Sequence, residues 1–114
     1  MSGFVLSQMS DAAAAALMDD QIPPEQVPLI LAARWPDAPA LRIGLAIALA
    51  CDAIETIYLQ QGALAERVNL AWRQAALIGA EVYALQLRLG ADVRARDLAQ
   101  VWGAAPPPRH SPDA

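Results

Sequence analysis

The chain has 114 residues, a net charge of −4 and an apolar fraction of 56%, enough for one domain with its own core. The acidic balance and the lack of any basic block argue against nucleic acid, whose binding needs a cationic face. Cys51 is the single cysteine, which excludes an intrachain disulfide and fits a reducing compartment. No charged segment leading into an apolar leader opens the sequence, so the expectation is a cytoplasmic protein. Alanine supplies much of the apolar excess and favours helix. Eight basic residues, all arginine, with abundant Ala and Pro, suggest a GC-rich bacterial genome.

Residues 1–6 form a short apolar arm that contains Phe4. Ser7 and Ser10 are alternative N-caps, and Ser10-Asp11 ahead of an alanine run predicts a first helix over 7–19. Its apolar positions, Met9, Ala13, Ala16 and Leu17, make a thin stripe. Gln21-Ile22-Pro23-Pro24 stops this helix, and Pro24 suits the first position of a second, over 25–35. Pro28 removes a hydrogen bond there and can delay the start. Val27, Ile30, Leu31 and Arg34 share one side. Trp35-Pro36-Asp37-Ala38-Pro39 is a rigid break, with Asp37 the expected N-cap of the third helix.

That third helix, about 37–61, is the most apolar. At 100° per residue it carries two seams. Ile43, Ile47, Ala50, Ile54 and Ile57 form one; Leu45, Leu49 and Leu59 form the other, interrupted by Asp52 and Thr56. Gly44, Ala48 and Cys51 draw a line of small residues between them. A membrane span needs about 20 apolar residues in a row, and the run 43–51 is far shorter. A central core helix is the better reading, and a membrane role is not expected.

Gln60-Gln61-Gly62 predicts a tight helical hairpin turn with Gly as C-cap. The fourth helix, about 63–89, has apolar positions at Leu64, Val68, Ala71, Ala75, Ile78, Val82, Leu85 and Leu89. That unbroken alternation of four and three is the seam of a long amphipathic helix. Small residues lie at matched distances from the turn, which pairs Gly44 with Gly79 and Ala48 with Ala75. The two helices should therefore cross closely, with Glu55 beside Arg67. Gly90 is a stop. Asp92 begins a short fifth helix over 92–102, in which Arg96 can reach Asp92. The fold expected is all-α: a four- to five-helix bundle over 1–102, built on the antiparallel hairpin 37–61 and 63–89, with a Pro-rich tail over 103–114.

Catalytic chemistry has little to work with. The single His110 lies in the tail, Cys51 is alone in an apolar helix, and no Cys/His set for zinc exists, so no metal or other cofactor is expected. Asp92-Val93-Arg94-Ala95-Arg96-Asp97 resembles the first helix of a helix-turn-helix, but no recognition helix comes after it. The Asp52-x-x-Glu55 pair, followed by Glu66 and Glu81 on the next helix, resembles the all-α nucleotide pyrophosphohydrolases. That resemblance implies a small enzyme or ligand-binding bundle holding Mg²⁺ on Asp52, Glu55 and Glu81. The chain departs from the family pattern where Ala84 stands three residues after Glu81.

Association has more support. The hairpin uses one side of each long helix, and three slight helices remain to cover the rest. The expected function is non-enzymatic: an assembly or adaptor protein, working as a homodimer or as a small subunit of a larger complex. Uncovered apolar strips mark such interfaces, and aromatic residues anchor them. The expected interface draws on Trp35, Ile43, Ile47, Ile54, Tyr58, Leu70, Leu77 and Trp102, with Trp72 and Tyr83 as further aromatic candidates.

Overall fold

Five α-helices succeed one another along the chain: α1 (Ser2–Met18), α2 (Val27–Arg34), α3 (Ala40–Ile57), α4 (Gly62–Leu89) and α5 (Ala95–Ala104), with a single 3-10 turn at Pro24–Gln26 ahead of α2. They are seen in a computed structural model, which describes residues 2–58, 62–90 and 92–104. Among these residues no strand forms. The fold is an all-α bundle on the antiparallel α3–α4 hairpin, as the periodicity predicts. No helix among the described residues is long and apolar enough to cross a membrane.

α1 begins at Ser2, well before the expected caps. Val5 and Leu6 pack half-buried against the core, and that contact carries the helix back through the N-terminal arm. Ser10 needs no capping role, because its hydroxyl donates to the Ser7 carbonyl at 3.1 Å. All four residues of the thin stripe, Met9, Ala13, Ala16 and Leu17, are buried. Pro28 falls in the first turn of α2, where the missing N–H costs nothing. The buried side of α2 is Val27, Pro28, Leu31 and Ala32, rotated from the expected one, which leaves Ile30 and Arg34 exposed.

α3 is the hub, touching the other four helices. Ile43, Ile47, Ala50 and Ile54 are buried, so one of its two seams is core. Asp37 does not cap it. The helix starts at Ala40, whose N–H donates to the Val93 carbonyl at 2.8 Å, while the Ala95 N–H donates to Ala38 at 2.7 Å. This short antiparallel bridge between Pro39 and Arg94 clasps the starts of α3 and α5 together. Arg94 stands just before α5, and its N–H donates to the Asp97 carboxylate at 2.9 Å, half of a capping box. Asp37 instead pairs with Arg96, which therefore does not turn back to Asp92.

Along α4, Leu64 and Ala75 are half-buried and Val68, Ala71, Ile78, Val82 and Leu85 are buried. The 4-3 seam is thus used through Leu85; Leu89 lies beyond the end of α3 and is exposed. Gly90 closes the helix at φ +66°, with its N–H donating to the Gln86 carbonyl at 2.8 Å. Gly62 also has positive φ, but it opens α4 rather than capping α3, which ends at Ile57. Residues 59–61, with Leu59 of the second seam, lie outside the described part. So does 105–114, with His110 and most of the expected tail; 103 and 104 are the last turn of α5.

Cys51 donates to the Val68 carbonyl across the hairpin at 3.8 Å. A Cβ on Gly44 would meet Ile78 Cγ2 at 3.2 Å and the Ala75 carbonyl at 3.4 Å, whereas one on Gly79 would meet nothing within 4 Å. The close approach is therefore Gly44 onto the Ala75–Ile78 turn. Gly79 does not face Gly44.

Candidate interaction surface

The molecule is only 20 Å through its thinnest dimension, the depth of about two helices. In a slab of two layers every helix keeps one side toward solvent. For α3 that side carries its second apolar seam. Leu41, Leu45 and Leu49 recur at intervals of four and are 58%, 49% and 41% exposed. Leu41 was not part of the expected seam; its spacing of four from Leu45 was the signal available for it.

The hairpin register decides what lies beside this row. Gly44 faces Ala75 and Ile78, and Cys51 faces Val68, so residues whose numbers add to about 120 stand level. Trp72 and Ala76 are then level with Leu45–Leu49, Gly79 with Leu41, and Tyr83 lies about one turn beyond Leu41. Trp72 is 37% exposed and Tyr83 66% exposed. The Trp72 indole N–H donates to the Glu55 carboxylate at 2.9 Å, which fixes the ring on this outer side. Between residues 74 and 87, half the length of α4, Glu81 is the one charged side chain. Its small exposed neighbours, Ala76, Ala80 and Ala84, keep the surface low between the large side chains. Two adjoining helices thus present a continuous apolar face, bordered by Arg42 and Asp52 on α3.

Other expected interface residues lie elsewhere. Ile43, Ile47 and Ile54 are buried in the monomer; the core takes the Ile seam because its side of α3 faces α1, α2 and α5, so these three offer nothing to a partner. Trp35 and Trp102 are half-buried against the core, with the Arg34 guanidinium 4.6 Å from the Trp35 ring centroid. Tyr58 and Leu77 are exposed and Leu70 is half-buried. Leu70 and Leu77 lie on the side of α4 away from the Leu row.

The carboxylates do not assemble. Asp52 and Glu81 stand about thirteen residues apart along the hairpin, roughly 20 Å at the helical rise, and Glu55 holds Trp72. No group of three His, Cys, Asp or Glu among the described residues is arranged to hold a metal ion. Arg67 does not pair with Glu55 either. It faces α1, where Nε donates to the Leu17 carbonyl at 2.7 Å and Nη2 to Ala16 and Asp19 at 3.0 and 2.8 Å. Burial, and then the nearby Glu55 charge, push the Cys51 thiol up to about 12, so it is inert rather than nucleophilic. A shallow cleft of about 190 Å³ lies among Pro39, Leu41, Val82, Gln86, Asp92, Val93 and Arg94, below the size of small-molecule sites.

Comparison with protein-family models, with curated proteins and with solved structures finds no match to this chain, so its own surface must carry the functional reading.

Proposed function

We propose that this protein is a non-enzymatic assembly protein that self-associates through the outer face of the α3–α4 hairpin. The observation that carries this reading is the row Leu41, Leu45 and Leu49 beside Trp72 and Tyr83, all exposed on one side of the bundle. Single exposed apolar side chains are ordinary. A contiguous patch of five large ones with alanines between them is what an interface looks like before its partner arrives. Two aromatic residues in the patch suit the anchoring role. A lone buried cysteine and the absence of a basic block fit a cytoplasmic protein whose partner is protein.

Sedimentation equilibrium from about 1 to 100 μM tests the reading. The wild type should move from monomer toward dimer across that range, and Leu45→Glu should remain monomeric while melting as one folded unit. A wild type that stays monomeric throughout overturns it.

A further inference from the structure

We infer that the partner is a second copy of this chain, packed antiparallel across a two-fold axis that sets Leu45 of each copy on Leu49 of the other and Arg42 on Asp52. This rests on the self-association proposed above and adds its geometry.

Four residues on the solvent side of α3, Arg42, Leu45, Leu49 and Asp52, are spaced at intervals of three, four and three, the spacing of a two-helix seam. The set is symmetric about its midpoint and carries opposite charges at its ends. Laid antiparallel on its own copy, Leu45 of one chain meets Leu49 of the other, and Arg42 meets Asp52. A two-fold contact must be complementary to itself in this way.

Trp72 stands out of the same surface on α4, held by Glu55, and adds to the area the two copies cover. One operator thus matches apolar to apolar and charge to opposite charge.

The size is adequate. A face as long as the 18-residue α3 and two helices wide covers about 500 Å² per copy, or about 1,000 Å² in all. That is the lower limit of specific interfaces and fits a dimer that dissociates on dilution.

The test compares the full chain with Arg42→Asp, Asp52→Arg and the double reversal Arg42→Asp/Asp52→Arg, by sedimentation and by circular dichroism on the same samples. All three variants should fold, with dilute melting temperatures close to wild type. Each single reversal should weaken dimerisation about tenfold, and the double reversal should restore it to within about threefold. A dimer indifferent to both single reversals, or one that the double reversal fails to restore, overturns this geometry while leaving self-association intact. A wild type that stays monomeric, or that binds only a different protein through this face, overturns both.

Discussion

Three carbonyl oxygens at the end of α1 converge on one guanidinium, that of Arg67 from α4. Helix ends leave carbonyls short of intrahelical partners; Ala16 and Asp19 each accept one local backbone N–H, and a planar fork of donors from fifty residues away ties all three together. Arg67→Met should keep the packing of the stem and lose these bonds, at a cost of about 2 kcal/mol. Arg67→Lys should recover only part of that, because an ammonium cannot span three acceptors; urea titration of both variants checks the order. Cys51 gives a second prediction at this scale. Its thiol is raised from an ordinary value of 9.0 to about 12 in the fold, so its contribution is whole below pH 9.0 and is lost as pH rises toward 12. Above the lower value the unfolded chain ionises and the folded one does not, and stability falls by about 1.4 kcal/mol per pH unit. Cys51→Ala should lack this fall, so the stability gap between the two proteins should change between about pH 8 and pH 10.5.

At the scale of the helices, Gly44 is where α3 and α4 lie closest. Gly44→Val should force Ile78 and the Ala75 carbonyl outward and destabilise by about 1–3 kcal/mol, whereas Gly79→Ala should raise stability by up to about 1 kcal/mol through helix propensity. Thermal melts of the two variants at low concentration should therefore move in opposite directions. That contrast also measures what the sequence could say. Periodicity identified the α4 seam from Leu64 to Leu85 and both seams of α3, because burial on one side of a helix leaves a repeat in the chain. It did not say which α3 seam would be core, since Ile43-Ile47-Ile54 and Leu45-Leu49 are equally apolar and only the placement of α1, α2 and α5 decides between them. It also missed every long-range polar contact. Arg67 on the end of α1, Trp72 on Glu55 and the Pro39–Arg94 bridge each join residues whose local sequence holds no trace of the partner. The matched glycines were half right for a geometric reason. Gly44 points at α4, while Gly79 is turned toward the outer surface.

For the whole molecule, thickness decides the outcome. A bundle deep enough to surround α3 would bury both seams; a slab of 20 Å buries one and shows the other. The exposed Leu row therefore arises because α1, α2 and α5 all pack on the Ile side of α3, and the deficit can be met by a second copy. Dimerisation linked to folding makes apparent stability depend on protein concentration. If the two copies meet through the α3–α4 face, the melting temperature of the wild type should rise steadily from about 1 to 100 μM. Leu45→Glu should remove the rise without lowering the melting temperature at the dilute end, because Leu45 is half exposed in the monomer and a charge there meets water. The same substitution at Ile47, fully buried on the opposite seam, should unfold the protein at every concentration, since an unpaired carboxylate in the core costs several kcal/mol. Differential scanning calorimetry over the dilution series separates the two. Leu45→Glu that melts early even when dilute would mean that the row belongs to the monomer's own stability, and that the chain needs no partner to cover it.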